Sequence, residues 1–98
     1  MIIYVDIDDT ICRLEHKADY STANPIQERI EKINELYEKN NTIVYWTARG
    51  TMTGINWFEI TYNQLKKWGA KFHELRMGKP AFDIFIDDKA FNSDTFFI

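Results

Sequence analysis

The sequence predicts an α/β fold built on an open, mostly parallel sheet with helices on its faces. Short apolar runs of strand type alternate along the chain with amphipathic helical segments, which is the pattern of βαβ units. The first run, residues 1–7, is almost unbroken by polar side chains, as is typical of a strand buried on both faces. With 98 residues, we expect one domain over residues 1–98.

The segment after the first strand is predicted to contain a flap and then a helix. Residues 11–24 show no sustained period and are interpreted as a loop or a short hairpin flap. A helix is predicted over residues 25–39, with Asn24 as its N-cap and Pro25 at the first helical position. Apolar residues recur along it at spacings of four, three and four and form one face; they are Ile26, Ile30, Ile33 and Tyr37.

The middle of the chain is predicted to form a second strand, a loop and a second helix. Residues 42–46 are a second buried strand, which ends at Thr47. Residues 47–54 contain two glycines and are predicted to form a flexible loop. The second helix is predicted to end at Gly69. Its apolar face is formed by Phe58, Tyr62, Leu65 and Trp68.

The last third of the chain is predicted to hold two short strands and an apolar tail. A third strand is expected within residues 71–75 and a fourth at residues 83–86. The aromatic tail is hard to bury in so small a monomer, and it comprises Phe91, Phe96, Phe97 and Ile98. We therefore expect a homo-oligomer whose interface uses this tail or the 11–24 flap.

Composition and charge narrow the classes of function. The net charge of -3 and the pI of about 5.3 give no basic field for a nucleic-acid backbone, and they suit small anionic substrates better. Cys12 is the single cysteine, and the N-terminus lacks a secretory signal, so we expect a cytoplasmic protein. No apolar run approaches the roughly 20 residues that cross a bilayer, so no membrane association is expected.

Acidic pairs follow two of the predicted strands. Asp6 and Asp8 follow the first strand, and Asp87 and Asp88 follow the strand at residues 83–86. The carboxyl ends of parallel strands share one rim of the sheet, where ligands bind. Carboxylates gathered there repel one another unless a cation lies among them, and Mg²⁺ prefers oxygen ligands. We therefore expect a Mg²⁺ site formed by Asp6, Asp87, Asp88 and the backbone carbonyl of Asp8.

The same rim provides the groups for phosphoryl transfer. Asp6 is the candidate nucleophile, which would form an aspartyl-phosphate. Asp8 would protonate the leaving oxygen and later deprotonate the hydrolytic water. Thr47 and backbone amides such as that of Ala48 would bind phosphate oxygens, and Lys79 would neutralise the charge that develops.

Several of these residues also have structural interpretations. Asp88 could merely cap the following turn, and Thr47 could be only a hydrogen-bonding residue at a strand end. Lys79 could be only a surface charge. Arg49 lies two residues beyond Thr47, and its planar fork could hold a second phosphate or a carboxylate of the substrate, or form a surface ion pair.

The motif order resembles that of the haloacid dehalogenase-like (HAD) superfamily of phosphohydrolases. The resemblance covers residues 6–88: Asp-Ile-Asp-Asp-Thr, a strand ending in Thr47, Lys79 before a strand, and an Asp-Asp pair after it. It implies a three-layer Rossmann-like fold, Mg²⁺ dependence and an aspartyl-phosphate intermediate, and it supports the roles given above. Asp9 departs from the glycine that is common in the family at this position. Neither the segment between Thr10 and Thr47 nor the segment between Thr47 and Lys79 has room for a separate cap domain over the site.

The function expected from these residues and this resemblance is that of a capless, Mg²⁺-dependent phosphomonoester hydrolase. A small phosphorylated metabolite is the expected substrate, and a sugar phosphate is the leading choice by analogy to small capless relatives in bacterial sugar and polysaccharide pathways. One alternative is a polynucleotide 3′-phosphatase, because residues 47–50 resemble the second motif of such domains. A phosphotransferase and a non-catalytic, regulatory phosphometabolite-binding domain are the others, although binding alone does not need both Asp6 and Asp8.

Overall fold

The computed structural model describes residues 1–98. The strands and helices are, in chain order, β1 (Ile2–Val5), β2 (Cys12–Leu14), β3 (Ala23–Pro25), α1 (Gln27–Glu38), β4 (Thr42–Trp46), α2 (Phe58–Lys67), β5 (Glu74–Arg76) and α3 (Ser93–Phe96). None of the helices is both long and apolar enough to span a bilayer.

A three-stranded parallel sheet in the order β1-β4-β5 forms the centre of the fold. The α/β class and the parallel sheet predicted from the sequence are therefore confirmed. The segment 11–24 contains the antiparallel hairpin β2-β3, in which Cys12 lies opposite Pro25. A 3₁₀ turn at Tyr20–Thr22 precedes β3, so the flap is the hairpin rather than an irregular loop.

The helix predicted at residues 25–39 forms as α1, but its predicted cap is wrong. Asn24 and Pro25 belong to β3, and Ile26 is the N-cap residue, without a side-chain hydrogen bond. The Ile26 N–H donates to the carbonyl of Ile11 at 2.8 Å. This contact with the hairpin keeps the chain extended beyond Pro25, so the helix begins two residues later than the cap pattern indicates.

Both long helices cover the same face of the sheet. The two crossovers, β1 to β4 and β4 to β5, step in the same direction, and right-handed crossovers then place α1 and α2 on one side. One buried cluster accordingly contains residues of both helices and of the sheet, among them Val5, Ile30, Ile33, Ile43, Tyr45, Leu65 and Trp68. Because successive strand residues face opposite sides, Ile2 and Tyr4 lie on the other face, where they are 72% and 47% exposed. α1, α2 and the sheet thus form two layers.

The strand predicted at residues 83–86 is not formed. All residues from 80 to 91 are exposed, and none of them makes a main-chain hydrogen bond to the rest of the chain. We call residues 80–91 the arm. A strand needs a neighbour to complete its hydrogen bonds, and within this chain the arm has none.

After the arm, the chain contacts the rest of the fold again through α3 and Phe97. Asn92 caps the short helix α3 by accepting a hydrogen bond from the Asp94 N–H at 2.9 Å. Phe97 packs against the main core, so part of the aromatic tail is used inside the monomer. Phe91 and Ile98 remain exposed, at 77% and 94%.

Candidate active site

The carboxyl ends of β1 and β4 lie side by side. Val5 pairs with Tyr45 in the parallel register, so the residues that follow each strand emerge at the same edge of the sheet. These residues are Asp6 and Asp8 after β1, and Thr47 and Arg49 after β4. The sheet thus brings together side chains that are about 40 positions apart in the sequence.

Asp6 forms an ion pair with Lys79. The Lys79 Nζ lies 3.3 Å from Asp6 Oδ1, and the hydroxyl of Thr10 donates to Oδ2 at 3.1 Å. Lys79 is held by its own backbone, since its N–H donates to the Thr47 carbonyl at 3.0 Å and its carbonyl accepts from the Thr51 hydroxyl at 2.7 Å. The side chain of Asp6 remains 36% exposed. An accessible carboxylate therefore lies beside a fixed cation.

Asp8 is held by a bidentate ion pair with Arg49. Arg49 Nε donates to Asp8 Oδ2 at 3.0 Å, and Nη2 donates to Oδ1 at 2.8 Å. The side chain of Arg49 is fully buried, whereas that of Asp8 is 22% exposed. Two parallel charge-assisted hydrogen bonds fix the plane of the carboxylate as well as its position.

The remaining donors of Arg49 are also used within the chain. Nη1 donates to the Thr61 hydroxyl at 3.0 Å and to Gln64 Oε1 at 2.6 Å, both on α2. The guanidinium also lies 4.9 Å from the ring centre of Tyr20. The surface ion pair considered from the sequence is therefore not what forms. The pair is buried, and Arg49 has no free face for a substrate, because α2 and the flap enclose it.

Thr47 and Ala48 form the turn that leads to Arg49. The Thr47 side chain is only 1% exposed, and its hydroxyl accepts a hydrogen bond from the Arg49 N–H at 3.1 Å. Ala48 is partly exposed, and its carbonyl accepts from the Thr51 N–H at 3.0 Å. At Gly50, φ is 81°, and a Cβ added there would overlap the Ile55 carbonyl oxygen. This position requires glycine, and the turn holds the strand end in place.

Cys12 lies next to this ion pair. Its thiol donates a hydrogen bond to Asp8 Oδ1 at 3.4 Å, and its sulfur lies 4.0 Å from Arg49 Nη2. Burial, with the negative charge of Asp8 as the second cause, raises the pKa of the Cys12 thiol to about 12. The thiol is therefore neutral at physiological pH, which makes it a weak nucleophile.

Asp87 and Asp88 do not join the other carboxylates. Both lie in the exposed arm, and neither makes a hydrogen bond or an ion pair. The chain brings no group of three His, Cys, Asp or Glu side chains together. The two acids at the rim, Asp6 and Asp8, each already have a cationic partner. Within one chain, the four carboxylates expected to share a Mg²⁺ site, those of Asp6, Asp8, Asp87 and Asp88, are therefore not brought together.

Sequence reasoning missed the residues that surround Arg49. Thr61 is fully buried, although it lies on the apolar face of α2 three residues after Phe58 and four before Leu65. A polar residue at a core position needs a hydrogen-bond partner, and that signal was present in the sequence. Gln64 and Tyr20 gave no such signal, because their roles depend on how the flap packs on α2.

Comparisons with known proteins support the fold. No protein-family model matches the chain, and neither does any curated protein. The chain is similar to a structural-genomics target from Vibrio cholerae that was solved by crystallography, with a TM-score of 0.88 and 27% sequence identity. The match covers 98% of this chain and 86% of that chain. It supports the α/β fold and carries no information on activity.

Proposed function

We propose that the protein is a phosphomonoester hydrolase of the HAD type that forms an aspartyl-phosphate on Asp6. The main support is the pairing of an accessible carboxylate with a fixed lysine at the end of a central parallel strand. A small phosphorylated metabolite, such as a sugar phosphate, is the substrate that best suits an acidic protein whose partly exposed rim cation, Lys79, lies beside Asp6. The free, buried thiol of Cys12 is compatible with a reducing cytoplasm.

The proposed first step is attack by a carboxylate oxygen of Asp6 on phosphorus. The bond from phosphorus to the leaving oxygen breaks, and the phosphoryl group is transferred to Asp6. The approach of a phosphate draws Lys79 into contact with both anions, which lowers the repulsion between nucleophile and substrate. The backbone N–H groups of Ala48 and Gly50 lie in the turn next to the same strand end and are candidates for binding phosphate oxygens.

The proposed second step is hydrolysis of the aspartyl-phosphate. Asp8 accepts a proton from water, and the water oxygen attacks phosphorus and releases Asp6. Both oxygens of Asp8 accept hydrogen bonds from Arg49, which fixes the plane and the position of this carboxylate. In the first step Asp8 gives a proton to the leaving oxygen, and the proton that it takes from water in the second step replaces the one it gave, so the proton count balances over the two steps.

Mg²⁺ remains part of the proposal as the expected cofactor, and Asp6 and the backbone carbonyl of Asp8 are the groups of the rim that would hold it. When bound among carboxylates, Mg²⁺ would offset the charge of the phosphate. The polynucleotide alternative is less well supported. Arg49 is the residue that could hold a second phosphate, and its side chain is buried against Asp8.

Asp6→Asn tests the proposal. The amide keeps the shape of the side chain but cannot form a stable acyl phosphate, so turnover of a metabolite phosphate panel should fall by roughly three orders of magnitude. Asp9→Asn is the matched control, because Asp9 is exposed and its φ of 61° suits asparagine as well. Acid-quenched wild-type protein should carry phosphate on the peptide that contains Asp6. Equal turnover by Asp6→Asn and Asp9→Asn would refute the nucleophile.

A further inference from the structure

The sheet face that α1 and α2 leave uncovered carries a row of alternating aromatic rings and cations. The ring of Tyr4 lies edge-on to that of Trp46, with 5.8 Å between the ring centres. The Arg76 guanidinium lies 5.6 Å from the ring centre of Tyr4. The Lys79 Nζ lies 5.9 Å from the ring centre of Trp46. Because Trp46 is the last residue of β4, the row ends at the edge of the sheet where Lys79 pairs with Asp6.

A second ring approaches the same ammonium from the arm. The Lys79 Nζ lies 5.6 Å from the ring centre of Phe82. The Phe82 ring in turn packs on that of Phe85, with 5.1 Å between the centres. Asp6 is the one anion that pairs with this lysine. The Lys79 ammonium therefore has three neighbours that attract a cation, one carboxylate and two aromatic rings.

The backbone of Lys79 is fixed, but its side chain is a flexible four-carbon stem. The N–H and the carbonyl of Lys79 are bound to the Thr47 carbonyl and the Thr51 hydroxyl, at 3.0 and 2.7 Å. These bonds determine where the side chain begins. Only contacts near its end can determine where the ammonium lies, and those contacts are with Asp6 and the two rings.

Rings and a carboxylate hold a cation in different ways. A carboxylate cancels the charge of the cation, whereas a ring attracts it through the quadrupole and leaves its charge available. The difference matters here because Asp6 is the proposed nucleophile, and its charge is lost when it bonds to phosphorus. From that point the Asp6 carboxylate no longer holds Lys79, but the two rings still limit where its side chain can go.

We propose that Trp46 and Phe82 are positioning residues, which hold the Lys79 ammonium beside Asp6 by cation–π contacts. The inference rests on the proposed function, because it is phosphoryl transfer that uses this ammonium. Phe82 acts from the arm, whose first residues thus contribute to the site without a main-chain hydrogen bond. The half-exposed ring of Tyr4 also gains a role, since it supports Trp46 on the uncovered face.

Nuclear magnetic resonance tests the positioning without any assay of activity. Protons above an aromatic ring resonate upfield, so the ε-methylene protons of Lys79 should lie upfield of those of the exposed Lys17. They should also show nuclear Overhauser contacts to the rings of Trp46 and Phe82. Trp46→Leu and Phe82→Leu should each reduce the upfield shift. A Lys79 resonance at the position of Lys17, with no contact to either ring, would overturn the proposal.

A change of ring charge at nearly constant shape separates attraction from packing. Replacement of Phe82 by pentafluorophenylalanine keeps a ring of similar size but reverses the electrostatic sign of its face, so the ring should repel the ammonium. Turnover should then fall as far as it does with Phe82→Leu, whereas Phe82→Tyr, which keeps the attractive face, should retain it. Wild-type turnover by the fluorinated protein would show that Phe82 acts by packing alone, and the proposal would fail.

Turnover of the metabolite phosphate panel measures the consequence for catalysis. Trp46→Leu and Phe82→Leu should each lower turnover about 2–30-fold, the range that corresponds to one cation–π contact. Trp46→Phe should restore most of the loss, because it keeps a ring at this position. Urea unfolding of each variant establishes that it is folded under the assay conditions.

A second lysine provides the matched control. Lys66 lies 5.5 Å from the ring centre of Tyr62 and 5.4 Å from that of Phe72, and none of the three pairs with a residue of the rim. Tyr62→Leu should therefore leave turnover unchanged. An equal loss with Tyr62→Leu and Trp46→Leu would refute a specific role for the rings around Lys79. If the wild type shows no turnover, the proposed function fails, while the resonance measurements still decide whether the rings hold this lysine.

Discussion

Removal of the Arg49 guanidinium should destabilise the protein far more than loss of a surface ion pair. Arg49→Met keeps an unbranched apolar stem but leaves Asp8 and the fully buried Thr61 hydroxyl without their partner. Breaking a buried ion pair costs about 3–5 kcal/mol. The side chain of Asp8 is 22% exposed, so we expect a cost at the lower end of this range. The lost hydrogen bonds from Arg49 to α2 add about 1 kcal/mol. We expect a total of about 4 kcal/mol.

A double-mutant cycle separates the contribution of the ion pair to stability from that of packing by the aliphatic part of the Arg49 side chain. Asp8→Asn keeps the shape of Asp8 and removes its charge, so the coupling energy between Arg49→Met and Asp8→Asn should be about 2 kcal/mol or more. Urea unfolding at pH 7, followed by circular dichroism, gives the free energies of unfolding. Arg13→Met is the control, because its pair with Asp9 is exposed, at 50% and 82%, and should contribute at most about 1 kcal/mol.

Salt dependence gives an independent check on the same cycle. Exposed pairs are screened by salt, whereas a buried pair is screened little. The effect of Arg49→Met should therefore be nearly the same at low and high salt, while that of Arg13→Met shrinks. A coupling energy below about 0.5 kcal/mol, or a strong salt dependence, would show that Arg49 does not hold Asp8 in a buried pair.

Three further predictions concern residues around the rim and in the core. Tyr45→Phe should raise the free energy of unfolding by about 1 kcal/mol, because the buried hydroxyl has no hydrogen-bond partner, and an unchanged or lower value in urea titrations would contradict this. Gly50→Ala should cost about 3 kcal/mol or more, since the Cβ would overlap the Ile55 carbonyl, whereas Gly54→Ala, at a similar φ of 75° in open space, should cost about 1–2 kcal/mol. Cys12 should make stability fall by about 1 kcal/mol between pH 9 and 10, because its thiol ionises near 9.0 when unfolded and near 12 when folded; Cys12→Ala should remove that loss in urea titrations over this range.

The elements that the sequence predicted correctly are those whose signals are local. β1, β4 and α1 have unbroken apolar runs or a clear helical period, and these patterns report burial directly. The cap at Asn24 failed because the hairpin continues through Pro25, and strand pairing across the flap outweighed the local capping preference. The strand at residues 83–86 failed for a related reason. Its composition is that of a strand, but composition does not provide a neighbouring edge.

The candidate site was predictable where it depends on strand ends and not where it depends on packing. Asp6, Asp8 and Thr47 follow strands that pair in parallel, so their proximity follows from the sheet. The partners of Arg49 come from α2 and from the flap, whose relative position no sequence period encodes. The planar guanidinium of Arg49 can bind a carboxylate of a substrate or one of the protein itself. Only the packing of the fold shows that its partner is Asp8.

The charges at the rim bear on when a cation would be needed there. Within one chain Asp6 and Asp8 are balanced by Lys79 and Arg49, so these four side chains carry no excess negative charge. A bound phosphate would add negative charge without a further cation from the protein. Under the proposed function, the need for Mg²⁺ would therefore arise when the substrate binds, because only then do phosphate oxygens lie beside these carboxylates.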